Sequence, residues 1–419
     1  MAGLLGTLHS AASGMNASQK SIQTTSHNIN NMNTPGYSRQ RTEQSASRPL
    51  SQPGLNSNLG AGQLGTGVEI TDIKRVRNTF YDFQFRSESH SYGNIGIKYD
   101  YYNNMESIFN EPSETSISTS LNNFFNSMHE LSKDPESLGA KNIVIENSKY
   151  LANTINQVYK KIDNLSNSLD KQTDGILDDI NSMLSSLKEL DKNIKIVEST
   201  GKTPNDLLDQ RDRILDELSF KINIHDKDVQ TAISDGSLTK DELGILNVSG
   251  ELAGCMEMKR ELENYTESLK SLSKGIVDGV NDIYGGEFFK YGDSDPVISV
   301  NEDILNNPSN LTITSDKALE LYNLKSKKIN IDGEDISINN YYNSIVQKLG
   351  HSTQEIKRNE KNQSELMKSI DGSRLSVSGV SMDEEMVNLV QLQHAYNASA
   401  KVISTIDSLL DVVVNGLVK

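Results

Sequence analysis

The sequence predicts a mainly α protein: terminal helices pairing as a coiled coil, plus an elongated antiparallel helical bundle with small β-containing insertions. Three runs of apolar periodicity predict it. One opens the chain, one closes it, and a longer one occupies the middle, all stepping alternately by four and three residues, the 3.5-residue period of helices laid against helices. A length of 419 residues allows roughly two or three domains. Adding 28 Gly to the 35% apolar fraction gives about 42%, below the ~45–50% of compact globular chains, and there is no Trp. That composition favours elongation over one thick core.

The first stripe consists of Leu4, Leu8, Ala11, Met15, Ser18, Ile22, Thr25 and Ile29. Its small and polar members bury little area, so this helix should order only against a partner. It meets a hard stop in the run Asn28 to Tyr37. Asn tolerates the left-handed conformation that ends a helix, Pro35 fixes φ, and Gly36 supplies the positive φ of a type II turn. Asn30, Asn33, Thr34, Pro35, Gly36 and Tyr37 are therefore assigned to a helix-stop motif followed by extended chain, with a plain loop as the alternative.

Val68, Ile70, Ile73 and Val76, partly alternating with polar residues, predict an edge ribbon. Helices are expected over Thr79–Phe109 and Ile117–Lys133, separated by Pro112 and a Ser/Thr-rich turn. The long seam runs from Leu151 through Ile155, Ile162, Leu169, Ile176, Ile180, Leu187 and Ile194 to Val197. At 1.5 Å per residue these residues make a rod of roughly 70 Å, with Gly175 its expected weak point. Further helices are read over 204–220, 256–283 and 338–370, enough to close an antiparallel bundle. Asp332-Gly333 between alternating isoleucines predicts a hairpin.

The C-terminal stripe carries Met386, Leu389, Gln393, Tyr396, Ala400, Ile403, Leu410, Val413 and Leu417. Ser381 with Glu384 three residues on reads as a capping box, starting a helix near Met382. Periodicity fixes packing and not partners, so the two terminal stripes alone are also compatible with an ordinary pair of core helices. The expected organisation is a terminal coiled-coil assembly domain (1–35 with 380–419), an elongated bundle (36–220 with 256–285 and 339–379), a short insertion (221–255) and a small mixed β insertion (286–338).

The charge balance of 41 Lys+Arg against 57 Asp+Glu gives −16, which argues against nucleic acid as a partner, since phosphate binding draws on Lys and Arg. No apolar run is long enough for a bilayer, so no membrane contact is expected. The first basic residue is Lys20, so a secretory n-region is not expected either. The single Cys255 permits no intramolecular disulfide and reads as a small buried or half-buried thiol. Gly60-Ala-Gly62-Gln-Leu-Gly65 matches the dinucleotide pattern in letters but lacks the preceding strand and following helix, so it reads as a loop. Asp293-Ser-Asp295 and Asp332-Gly-Glu-Asp335 lack a calcium loop's ligand spacing. The seven histidines include no His-x-x-x-His pair, and no Gly-x-Ser-x-Gly turn is present. No catalytic residue, cofactor or metal is expected.

The helix-stop run, with the small-residue helix before it, resembles the signature of flagellar rod, hook and hook-associated axial proteins. The stretch from Ser378-Gly-Val-Ser-Met-Asp-Glu-Glu to Ser404-Thr-Ile-Asp narrows the resemblance to the hook-associated protein 1 family of hook–filament junctions. Gly65-Thr-Gly-Val-Glu, Asp206-Leu-Leu-Asp-Gln-Arg-Asp and Gly285-Gly-Glu-Phe-Phe agree with it. The resemblance implies a structural protein of the bacterial flagellum, extracellular and exported by the flagellar type III apparatus. It implies paired terminal helices lining an axial tube, with the bundle in the next shell. Implied partners are hook protein, a second hook–filament junction protein, further copies of the chain in a ring, and a cytosolic export chaperone at the C-terminal helix. On this reading Leu4, Leu8, Met15, Ile22 and Ile29 with Leu389, Tyr396, Ile403, Leu410 and Val413 form the assembly seam. A hook or rod subunit, which shares the Asn-Thr-Pro-Gly turn, is the alternative; a wall-cleaving axial protein would need a catalytic constellation that the fifty-residue insertion lacks.

Overall fold

A computed structural model describes residues 2–47, 65–235, 238 and 249–416. It is mainly α, with three two-stranded antiparallel sheets among the described residues. Helix α1 (Ala2–Asn30) leads into strand β1 (Gln40–Ala46), which pairs with β2 (Val68–Arg75), with a register shift at Glu43/Gln44. β1, which the sequence marks only as extended chain, completes the ribbon expected around Val68. The glycine pattern at Gly60 and Gly62 lies outside the described residues.

The bundle follows as α2 (Thr79–Phe109), α3 (Ile117–Lys133), α4 (Leu138–Glu198), α5 (Asn205–Lys221), the short α6 (Lys227–Asp235) and α7 (Glu251–Tyr284). It closes with α10 (Ile338–Ser378). Four N-caps anchor it: Asn78, Ser116, Ser137 and Ser337 each accept a backbone N–H of the first turn. α4 spans 61 residues, roughly 90 Å, and passes Gly175 without a break, contrary to expectation. Ile176, Leu177 and Ile180 are buried beside it, and that packing outweighs the ~1 kcal/mol that a helical glycine costs.

Side-chain bonds show the directions. Lys259 to Asp170 and Lys221 to Asp179 join α4 to antiparallel α7 and α5, while Glu88 and Glu106 of α2 meet Gln363 and Lys357 of antiparallel α10. The main core is filled by Phe124, Phe125, Leu131, Leu151, Ile155, Leu262 and Leu269, and a smaller separate cluster joins Phe85 of α2 to Met367 and Ile370 of α10.

Residues 286–338 hold more helix than expected: β3 (Phe289–Tyr291) with β4 (Ile298–Val300), α8 (Glu302–Asn306), α9 (Ser315–Leu324), and a hairpin of β5 (Ile329–Ile331) and β6 (Glu334–Ile336). The hairpin turns at Asp332 and Gly333, both at positive φ, as the Asp-Gly pair predicts. This segment is fastened to the bundle. Asn156 of α4 donates to the Ile298 carbonyl and accepts from the Val297 and Ile298 amides, and Phe288 and Phe289 enter the aromatic cluster with Phe124. Last comes α11 (Met382–Asn415), paired with α1.

Candidate assembly surface and its elbow

α1 and α11 run antiparallel: a Cβ added at Gly14 would touch Ser399 Oγ at 3.4 Å, and Asn28 meets Glu385. The candidate seam residues Leu4, Leu8, Met15, Ile22 and Ile29 are half-buried on α1, as are Leu389, Tyr396, Ile403, Leu410 and Val413 on α11. The one apolar side chain of α11 that is buried rather than half-buried is Ile406, which is not among the candidate seam residues; on α1 the buried apolar side chain is Ala17, further along the pair. Leu417 lies outside the described residues. On its other side α11 exposes Met386, Val387, Val390, Leu409 and Val412, the last 63% accessible. These residues fall on the face turned away from α1, so the pair presents an apolar stripe that none of the described residues covers.

The helix stop differs from expectation in mechanism. Among the described residues only Asn110 and Asp332 combine a side chain with positive φ, so none of Asn28, Asn30, Asn31 or Asn33 is left-handed. α1 instead ends by tightening. The Asn31 amide is shared between the His27 and Asn28 carbonyls, and Thr34 N–H bonds the Asn31 carbonyl. The Pro35-Gly36 turn does form: Tyr37 N–H reaches the Thr34 carbonyl at 3.2 Å and Gly36 has φ +77°. Asn30, Asn33, Thr34, Pro35 and Gly36 are exposed, while Tyr37 turns inward. Neither half of the expected capping box forms: Ser381 makes no side-chain capping bond, and the Glu384 carboxylate is bonded to Arg39 at 2.9 Å.

Behind this turn sits a polar joint that sequence reading did not find. Asn28, 1% exposed, uses all its hydrogen-bonding capacity. Its Nδ2 donates to the Gln40 carbonyl (2.9 Å) and Glu385 Oε2 (3.1 Å), and its Oδ1 accepts from Tyr37 Oη (2.8 Å) and the Gln40 amide (2.9 Å). Arg39 Nε holds the other Glu385 oxygen at 2.7 Å, and its backbone bonds both Ser378 and Val76. Burial, then the charges of Asp206, Asp209 and Glu385, push the Tyr37 phenol well above its usual range, which keeps it a donor.

Next to it four arginines meet four aspartates. Arg75 bonds Asp209 and Asp212, Arg77 bonds Asp82 and Asp212, Arg86 bonds Asp212 and Asp216, and Arg374 bonds Asp216, all at 2.6–3.0 Å. Ser38 donates to Asp209 through both its amide and its hydroxyl. β2, α2 and α10 thus converge on one face of α5. Burial disfavours the Asp212 carboxylate, but Arg77, Arg75 and Arg86 outweigh it and hold its pKa below the usual range. The signal was present: Asp209, Asp212 and Asp216 at steps of three and four share one side of a helix, and such a charged face has a partner only if basic residues from elsewhere reach it.

The chain matches known families at these places. Residues 8–37 match the flagella basal body rod protein family, 372–416 the C-terminal family of flagellar basal body rod FlgEFG proteins, and 102–239 the helical domain of flagellar hook-associated protein FlgK. Paired termini of rod type around a helical bundle define a flagellar axial protein. Flagellar hook-associated protein 1 of Bacillus subtilis (strain 168) is 30% identical over 98% of both chains. Its namesake from Salmonella typhimurium is 30% identical over 55% of this chain and 39% of its own. The flagellar hook junction protein FlgK of Burkholderia pseudomallei is similar in structure over 50% of this chain and 46% of its own, with 17% identity and a TM-score of 0.41. The chain belongs to the flagellar hook-associated protein 1 family, and is accordingly a structural component of the bacterial flagellum.

Proposed function

We propose that this protein joins the hook to the filament and is required for filament assembly, acting by packing and not by catalysis. The observation that carries the reading is the α1–α11 pair: weakly buried internally, apolar on its outer side, locked together at its base by Asn28 and Glu385, and fixed to the bundle through Ser38 and Arg39, which bond Asp209 of α5 and Ser378 of α10. Residues 1–35 with 380–419 serve as the assembly domain, and the remaining segments as bundle and insertions. Two long helices with so little internal burial gain stability from neighbouring subunits, and an uncovered apolar stripe associates promiscuously until it finds them. A cytosolic export chaperone on the C-terminal helix meets that need before passage through the type III apparatus. In the flagellum, copies of the chain form a ring, with hook protein on the cell-proximal side and a second junction protein on the distal side.

Leu8→Asp with Leu410→Asp tests the seam. The variant is expected to remain a soluble bundle that does not enter the flagellum. Normal incorporation would refute the assignment.

A further inference from the structure

The two ends of the α1–α11 pair carry complementary surfaces that none of the described residues satisfies. At the elbow end lies a cleft of about 250 Å³, lined by Met32, Pro35 and Gly36 of the turn, Leu375 in the last turn of α10, Val380 just beyond it, and Arg213 of α5. Leu375 is 54% exposed and Met32 38%. The Arg213 stem packs on Gly36 and its side chain is half exposed, with Glu217, at 3.9 Å, the one carboxylate in salt-bridge reach among the described residues. At the far end, α11 exposes Leu409, Val412 and Val414. Asp407 and Asp411 sit there too, exposed and without a cation in salt-bridge reach among the described residues, and the last turn contains no basic residue. Unsatisfied carbonyls add their own negative charge to that end.

We propose that the far end of α11 docks, head to tail, in the elbow cleft of a second copy of this chain. The inference rests on the proposed self-association in a ring and names its contact. Apolar tip meets apolar cleft, and the acidic helix end meets Arg213. The contact lies between copies, because α11 is one unbroken helix and the 27 residues from Glu385 to Val412 span roughly 40 Å, too far for the tip to return to its own cleft. Joining two different patches makes it a heterologous interface, which propagates around a ring or a helix.

The test uses cells that make two full-length versions, one carrying Leu375→Cys and the other Val412→Cys, with mild oxidation of isolated flagella and a non-reducing blot. A dimer band is expected only when both versions are present. A dimer from Val412→Cys alone, a cross-link to a different flagellar protein, or no dimer in flagella containing both versions would each overturn the contact. Charge exchange supplies a second readout that needs no cysteine. Arg213→Glu and Asp411→Arg should each lower incorporation several-fold, and the two together should restore it; absence of restoration counts against the proposal. An unaltered chain that never enters flagella would instead sink the assembly reading itself.

Discussion

Asn28 and Glu385 stand 357 residues apart in the chain and meet at 3.1 Å inside the protein, Asn28 donating to a carboxylate that is almost fully buried. Through this pair the end of the first helix, the start of the last helix and the first strand become one rigid corner. A buried charge is tolerated only when fully partnered, and Glu385 has Arg39 on one oxygen and Asn28 on the other. The angle between terminal pair and bundle is thus set within the monomer.

Replacing Asn28 by Ala removes four hydrogen bonds and leaves Glu385 and the Gln40 backbone short of partners. A loss of about 1–3 kcal/mol is expected. Amide exchange should show it as faster exchange at residues 37–41, with the bundle core unchanged.

Asp212→Ala should cost more, about 3–5 kcal/mol, because Arg75, Arg77 and Arg86 would keep their charge with one fewer partner. The same group gives the elbow a pH dependence. Its folded pKa is depressed, so its contribution is present above the ordinary carboxylate value of ~3.9 and is lost as pH falls through the lower folded value. Urea midpoints measured from pH 7 downward should fall most steeply below about pH 4, and Asp212→Asn should flatten that slope.

Two glycines three residues apart in α2 predict opposite outcomes. A Cβ at Gly93 would lie 2.1 Å from the Phe220 carbonyl, so Gly93→Ala must separate α2 from the end of α5, at a cost of about 1–3 kcal/mol. Nothing lies within 4 Å of a Cβ at Gly96, and Gly96→Ala should gain about 0.5–1 kcal/mol from helix propensity alone. Thermal unfolding of the two variants side by side checks the sign of each.

Truncating Ile406 to Ala should weaken the α1–α11 pair more than truncating Leu410, since Ile406 is 4% exposed while Leu410 is only half-buried. Limited proteolysis near the two termini reports the difference. Equal resistance of the two variants would show that the pair does not depend on its internal seam.

Much of this architecture is legible in the residues because it is local. Thr79–Phe109 and Ile117–Lys133 are helices to the residue, and the Asp332-Gly333 turn needs only its own two positions. What periodicity cannot supply is which distant groups meet. Glu384 reads as the second half of a capping box, yet Arg39, 345 residues earlier, takes it. Gly175 reads as a weak point, yet α4 runs unbroken through it with Ile176, Leu177 and Ile180 buried beside it. Ile406 looks like any other apolar position of its stripe until α1 covers it. The Arg–Asp joint escapes for the same reason: each aspartate alone resembles a solvated helix face, and only the fold brings Arg75, Arg77, Arg86 and Arg374 to it.

Electron microscopy of cells lacking this gene, with the growth medium blotted for filament subunit, tests the proposed junction most directly. Intact bare hooks with filament protein shed into the medium are the predicted result. Filaments of normal length on normal hooks would contradict the account, and missing hooks would move the protein down into the hook or rod.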